Sequence, residues 1–148
     1  IRDSFSVVDY GAITTNAGTP FERRLELIYD DLNLLMGKFH PEAMSIEKLF
    51  YNTNAKTVID VAQARGVTVL AAKKNNIPIF EYTPLQVKQS VVGYGRAEKK
   101  QVQEMTRIIL KLAKIPKPDD TADALAMAIC HAHASGSLMG KLNSMGIR

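Results

Sequence analysis

The chain has 148 residues, a hydrophobic fraction of 46%, and 19 Lys and Arg against 15 Asp and Glu. This length suits one domain with a substantial core, and we expect a single domain over residues 1–148. No apolar run approaches the roughly 18 residues of a membrane span and no secretory signal is present, so we expect a soluble, cytoplasmic protein without a membrane partner. A lone cysteine, Cys130, excludes an internal disulfide and fits a reducing compartment.

The first part of the chain predicts a strand, a helix and a second strand. Residues 4–15 (SFSVVDYGAITT) are rich in β-branched and aromatic residues, which is typical of a strand. Residues 21–39 predict an amphipathic helix whose apolar stripe must bury against a sheet. The run AMSIEKLF, residues 43–50, predicts a short strand with Glu47 near its carboxyl end. The stripe of the helix consists of Leu25, Ile28, Leu32, Leu35 and Phe39.

The middle of the chain continues this alternation. Residues 53–74 predict a helix rich in small residues, and IPIFEY, residues 77–82, predicts a further strand. Thr83 followed by Pro84 is a good N-cap and first-position pair for a helix that reaches about Val92.

Two more helices are predicted toward the carboxyl end. They cover residues 97–112 and about residues 120–134, separated by the breaker IPKPDD. The glycine- and serine-containing residues 135–148 predict a loose tail. Strands that alternate with helices favour an α/β layer architecture.

Three carboxylates are candidates for binding a divalent metal. Asp120 and Asp123 lie three residues apart, so the first turn of a helix can direct both to one point. A strand that ends near Glu47 could meet them there. The alternative is structural, with Asp120 as an N-cap and Asp123 as a first-turn acid stabilised by the helix dipole.

Positive charge is concentrated in one segment. Residues 86–117 contain eight basic and two acidic residues and so carry a charge of +6. Because the whole chain carries +4, the rest of the chain is slightly acidic. Such a segment beside carboxylates suggests a bound polyanion, although a solvated helix face is the alternative. Arg96, Lys99 and Lys100 follow two glycines in GYGRAEKK and are candidates to neutralise phosphates. Phe50 and Tyr51 could offer an aromatic face to an unstacked base, or could close a core.

Cys130, His131 and His133 do not have the spacing of a metal site. His131 lies one residue from Cys130 and two from His133, so the three side chains cannot all point in one direction on a helix, whereas zinc pairs use three- or four-residue spacing. We therefore expect these side chains to serve packing.

Three stretches resemble the RuvC family of Holliday junction resolvases. They are SIEKLFYNTNAKTVIDVAQARGVTVLAA, FEYTPLQVKQSVVGYGRAEKKQVQ and PKPDDTADALAMAICHAHA, in that order and at compatible spacing. The resemblance implies an α/β, ribonuclease-H-like mixed sheet flanked by helices. It also implies a homodimer that resolves four-way DNA junctions by paired nicking, with Mg²⁺ as cofactor and Mn²⁺ as a substitute, and a RuvAB-type branch-migration helicase complex as partner.

The resemblance also implies roles for individual residues. Glu47 resembles the central catalytic and metal-binding acid of the family, and Asp120 and Asp123 resemble its C-terminal acidic pair. Phe50 resembles the aromatic residue that contacts junction bases. Lys88 and Lys99 resemble lysines needed for activity, and with Arg96 and Lys100 they form the expected DNA-binding set.

One family motif has no counterpart here. Family members begin with a strand that carries a G-I-D-P-G type motif, whose aspartate is the first metal ligand, and no such motif occurs in this sequence. We expect that an N-terminal segment is omitted from the given chain. The alternative hypothesis is a protein that binds junctions without cleaving them. A third hypothesis is an α/β protein that acts on small phosphorylated metabolites.

Overall fold

The computed structural model describes residues 5–48 and 55–144. Within these ranges two strands pair as a small parallel sheet, and the helix between them is the crossover that a parallel pair requires. No helix in the described ranges is long and apolar enough to cross a bilayer. The elements in chain order are α1 (Phe21–Phe39), β1 (Met44–Glu47), α2 (Ala55–Lys74), β2 (Ile79–Tyr82), α3 (Pro84–Val91), α4 (Lys99–Ile109) and α5 (Asp119–Ser144).

The chain divides into two compact units. The first comprises residues 1–12, 45–47 and 81–148, and the second comprises residues 13–44 and 48–80. The boundary falls within both strands. The expectation of a single domain stays a prediction.

The second unit is built on the packing of α1 against α2. Met36 of α1 is buried with Ala71 and Ala72 of α2, whose small side chains let the two helices approach closely. Partly buried Met44 and Ile79, at the starts of the two strands, pack against the same cluster. The predicted bounds of α1 are confirmed. The prediction that its apolar face buries against a sheet is wrong in the main, because the chief partner of α1 is the helix α2.

Part of the predicted stripe on α1 is wrong. Leu35 and Phe39 are 43% and 37% exposed, whereas Met36 is only 6% exposed. The reason is the helical period of 3.6 residues, because a step of four from Leu32 reaches Met36 and rotates Leu35 away from the core.

The first unit has a core formed by α3, α4 and α5. The predicted start of α3 is confirmed, because the Gln86 N–H donates to Thr83 Oγ1 at 3.1 Å and the Thr83 N–H donates to Gln86 Oε1 at 2.8 Å. These two bonds form a capping box that fixes the direction in which α3 leaves β2. The buried apolar residues of this core are Val87, Val91, Ala97, Val102, Ala126, Met127, Ile129 and Cys130.

The strand predicted over residues 4–15 is wrong for the described part of that range. Residues 5–16 have no regular secondary structure. A β-branched segment becomes a strand only when a neighbouring strand pairs with its backbone, and neither described strand pairs with this one. Residues 5–9 instead lie beside Leu125 and Ile129 of α5, where they line a cavity of about 210 Å³.

The last two helices differ from their predicted bounds. α4 starts two residues later than predicted, because the Glu98 N–H donates to Gln101 Oε1 at 2.7 Å and so caps a helix that begins at Lys99. It ends earlier because Lys111 has a positive φ of 57°. The predicted loose tail is wrong as far as Ser144, since α5 continues without interruption to that residue.

Candidate active site

The two candidate aspartates lie in the first turns of α5. The helix begins at Asp119, so Asp120 is the second helical residue and the N-cap alternative for Asp120 is wrong. Asp120 is exposed, and the side chain of Asp123 is 46% exposed. Acidic side chains are favoured at this end of a helix by the partial positive charge of its unpaired N–H groups. The sequence thus presents adjacent carboxylates to solvent at a helix start.

Lys99, the first residue of α4, binds this acidic turn. Its Nζ lies 3.4 Å from Asp123 Oδ2 and 3.8 Å from Asp119 Oδ2. The negative charge of Asp123, followed by a hydrogen bond to it, raises the pKa of Lys99 above its usual value. The structure thus brings two residues that were predicted from the sequence, Lys99 and Asp123, into direct contact.

Asp119 is a participant that the sequence reasoning missed. It accepts a hydrogen bond from Lys117 Nζ at 2.8 Å, and this bond is the main cause of its lowered pKa, with the charge of Lys99 contributing. The available signal was the run KPDD, in which a lysine precedes an acid by two residues at a helix start. The sequence-based prediction rested on the three-residue spacing of Asp120 and Asp123 and did not include Asp119.

Glu47 is the last residue of β1 and is exposed. Two residues earlier, Ser45 Oγ donates a hydrogen bond of 2.8 Å to the backbone oxygen of Met127 in α5. Side chains two positions apart on a strand share a face, so Glu47 lies on the face of β1 from which Ser45 reaches α5. Met127 is one helical turn beyond Asp123. The strand of one predicted ligand is therefore tied to the helix of the other two.

The candidate carboxylates do not by themselves form a complete metal site. Among residues 5–48 and 55–144, no group of three His, Cys, Asp or Glu side chains has the arrangement needed to hold a metal ion. The chemistry of the donors does suit Mg²⁺, since Asp120 and Asp123 offer hard carboxylate oxygens one turn apart. These two carboxylates would therefore supply only some of the ligands that such an ion needs.

The predicted DNA-binding residues are spread over α3, the following loop and the start of α4. Lys88 is partly buried in the last turn of α3, while Arg96 and Lys100 are exposed. Phe50 and Tyr51 lie outside the described residues. The loop glycines have structural reasons: Gly93 has a φ of +102°, and a side chain at Gly95 would collide with Leu85 of α3.

The Cys130, His131 and His133 group serves packing, as expected. The buried thiol of Cys130 points to the backbone oxygen of Gln86 at 3.8 Å. Each histidine uses its Nδ1, His131 with the Tyr82 hydroxyl at 2.7 Å and His133 with Ser90 Oγ at 2.9 Å. These contacts join α5 to the end of β2 and to α3.

The chain is similar to known proteins over most of its length. A family model described as "Crossover junction endodeoxyribonuclease RuvC" matches residues 2–131. A protein of that name from Ruminiclostridium cellulolyticum is 61% identical over 93% of this chain and 84% of its own length. Another, from Clostridioides difficile, is 55% identical over 98% of this chain and 85% of its own length.

Solved structures extend the similarity to the fold. The Thermus thermophilus RuvC structure aligns with a TM-score of 0.78 and 34% identity over 84% of this chain and 75% of its own chain. The same protein in complex with a Holliday junction substrate gives a TM-score of 0.78 and 35% identity over 82% of this chain and 73% of its own. This likeness confirms the predicted α/β, ribonuclease-H-like class. The chain belongs to the RuvC family of crossover junction endodeoxyribonucleases.

Proposed function

We propose that this protein is a structure-specific endonuclease that resolves four-way DNA junctions by paired, symmetric nicking during recombination and repair. Support comes from the relatives named as crossover junction endodeoxyribonucleases and from the Thermus thermophilus relative bound to a Holliday junction. A DNA-processing enzyme of this kind would act in the cytoplasm. Its partner would be a RuvAB-type branch-migration helicase complex, as the family resemblance implies.

The observation that supports a shared catalytic centre is the hydrogen bond from Ser45 Oγ to the Met127 backbone oxygen. It joins the strand that ends in Glu47 to the helix that begins with the acidic turn. Glu47, Asp120 and Asp123 are accordingly the proposed catalytic residues and Mg²⁺ ligands, with Mn²⁺ as a substitute. When bound, such an ion would activate a water molecule and stabilise the leaving oxygen.

The remaining roles belong to the side chains of the chain itself. Asp123 would act as a ligand or as a proton acceptor. Lys88 and Lys99 would bind the phosphate backbone and offset the charge that develops at the scissile phosphate. Arg96 and Lys100, both exposed next to Lys99, would add phosphate contacts whose strength falls as salt concentration rises. Phe50 would contact unstacked junction bases.

A homodimer would match the symmetry of the substrate. A four-way junction with two-fold symmetry offers two equivalent strands, and two protomers related by a two-fold axis would bring one carboxylate site to each. Paired nicks at symmetric positions would follow from this arrangement. Analytical ultracentrifugation of the protein, free and bound to a junction, would report whether two copies assemble.

The decisive experiment uses a labelled four-way junction and a linear duplex of the same sequence. With Mg²⁺ we expect symmetric nicks in the junction only, and with EDTA we expect binding without nicks. Replacing Glu47 with Gln should reduce cleavage by about 100-fold or more, because a charged ligand becomes neutral, while junction binding changes by no more than about twofold. Glu42→Gln is the matched control, since Glu42 is an exposed acid that precedes β1.

The outcomes distinguish the rival hypotheses. Tight junction binding without nicks in any divalent metal would favour a junction-binding protein, an alternative motivated by the lack of a three-ligand group among the described residues. Equal affinity for branched and linear DNA would reject both junction hypotheses. Loss of binding together with cleavage in Glu47→Gln would count against a catalytic role for Glu47.

A further inference from the structure

The contact between α4 and the start of α5 contains a lysine with two carboxylate partners. Lys99 opens α4, where the helix dipole disfavours a positive charge. Two acids of α5 compensate for this unfavourable charge: Lys99 Nζ lies 3.4 Å from Asp123 and 3.8 Å from Asp119. The family resemblance gives a role to Asp123 and none to Asp119. The question is what the second partner does.

The second partner is itself held in place. Asp119 Oδ1 accepts a hydrogen bond of 2.8 Å from Lys117 Nζ, which leaves Oδ2 directed to Lys99. Lys117 is two residues upstream in the chain, so this contact is local and does not depend on α4. One oxygen of Asp119 thus faces its own loop, and the other faces the first residue of α4.

A buried amide on α4 lies near the same carboxylate. Gln103 lies one turn after Lys99, on the same face of α4, and is only 6% exposed. Its amide is close enough to help lower the pKa of Asp119, yet its Nε2 makes no hydrogen bond of normal geometry with any described residue. A buried N–H group without a partner is unfavourable, and a small shift of the Asp119 carboxylate would satisfy it.

We propose that Asp119, held by Lys117, is a positioning residue that keeps Lys99 beside the acidic turn when Asp123 engages another partner. This inference rests on the proposed nuclease function. A partner that binds Asp123 Oδ2 would compete with Lys99 for that oxygen. A second carboxylate retains the ammonium within reach of a DNA phosphate, whereas without it Lys99 would turn out into solvent.

The first test measures how strongly the carboxylates hold the amine of Lys99, and it needs no catalysis. Trace acetylation with acetic anhydride, read by mass spectrometry, reports how available each lysine amine is. Asp119→Asn should raise acetylation at Lys99 by roughly two- to fivefold, the range expected for loss of one exposed ion pair. Lys117→Met is the matched control, because it removes the other partner of Asp119 and should leave acetylation at Lys99 unchanged or lower.

The second test separates positioning from general stability. Asp119→Asn should lower kcat for junction cleavage by roughly two- to fivefold with KM unchanged, and Asp119→Glu should restore most of the loss. In a Lys99→Met background the same Asp119→Asn change should have no further effect, because a positioning residue acts only through the residue that it positions. Gln103→Leu should reproduce part of the kcat loss.

The results have distinct meanings. Unchanged acetylation at Lys99 in Asp119→Asn would overturn the proposal whether or not the protein cleaves junctions. Additive effects of Asp119→Asn and Lys99→Met on kcat would also overturn it and would indicate an independent role, such as that of a metal ligand. Absence of cleavage in the unaltered protein would reject the proposed function, and the acetylation result would still decide the role of Asp119.

Discussion

The two parts of α5 make opposite use of their side chains. The three acids of the first turns, Asp119, Asp120 and Asp123, are exposed or half-exposed, whereas the two residues between Asp120 and Asp123 are buried. The lysines at positions 99 and 117 form ion pairs with these acids. The middle, residues 126–133, is mostly buried and pairs with neutral groups: a backbone oxygen of α3, a serine hydroxyl and a tyrosine hydroxyl. One continuous helix therefore joins an exposed acidic end to a packed interior.

This contrast predicts which substitutions in α5 should affect catalysis and which should affect stability. Ion pairs between exposed side chains contribute little to stability, because water and salt screen them. Buried contacts of small side chains contribute much more, because a close-packed interior cannot adjust to a change of volume. Substitutions of the exposed acids in the first turns should therefore alter activity at nearly constant stability. Substitutions of buried residues in the middle should lower stability.

Asp120→Asn should give the largest effect and leave the fold intact. Asp120 is exposed in the first turn, and removal of one charged ligand should lower the rate of junction cleavage by about 100-fold or more. The melting temperature should change by no more than about 2 °C, as for other surface substitutions in a chain of this size. Single-turnover cleavage and thermal unfolding of the same preparation would give both numbers. A large fall in melting temperature would break the comparison.

Ala126→Leu should give the converse result. Ala126 is 1% exposed in the core between α3, α4 and α5. Three added carbon atoms have no space there, so the free energy of unfolding should fall by about 1–3 kcal/mol. Urea unfolding would measure the loss.

Ala124→Leu is the control for Ala126→Leu, since it makes the same chemical change two residues earlier at an exposed position of α5. We expect its unfolding free energy to stay within about 0.5 kcal/mol of the unaltered protein. Equal losses in the two variants would mean that burial does not distinguish these positions.

The same contrast explains what the sequence could predict. Periodicity and caps identified α1 from Phe21 to Phe39 and the start of α3 at Pro84, and they placed a short strand over residues 43–50, within which β1 lies. These features are local, because they depend on residues within one or two turns of each other. The acidic turn was recognised for the same reason, since its residues are neighbours in the chain.

Features that depend on distant residues were missed. The segment predicted as a strand near Val7 pairs with neither described strand, and strand formation requires a partner that no local pattern supplies. The role of Asp119 depends on Lys99 and Gln103, which are distant in sequence and lie on another helix. α5 continues to Ser144 although Gly136 and Gly140 were expected to end it, because helix propensity is a weak local signal.

The smallest predicted effect concerns pH and again distinguishes the middle of α5 from its start. Burial raises the pKa of the Cys130 thiol above its ordinary 9.0, and burial followed by the charge of Cys130 raises the pKa of Tyr82 above its ordinary 10.0. Both groups are neutral at pH 7 in the folded protein, and the charge of Cys130 acts on Tyr82 only once the thiol has ionised. Their contribution to stability is therefore complete below about pH 9 and is lost as the pH rises, because the unfolded chain ionises first.

The free energy of unfolding should decline from pH 9 with a slope of at most about 1.4 kcal/mol per pH unit from Cys130 alone. Cys130→Ala should remove the decline between pH 9 and 10, whatever uniform loss its smaller side chain causes, whereas Tyr82→Phe should act only above about pH 10. Urea unfolding from pH 7 to 10.5 would resolve these slopes. Because Cys130 belongs to the buried middle of α5, Asp120→Asn should leave the slope between pH 9 and 10 unchanged. Above that range the charge of Asp120 also raises the pKa of Lys99. A change of that slope in Asp120→Asn would mean that the two parts of the helix are coupled.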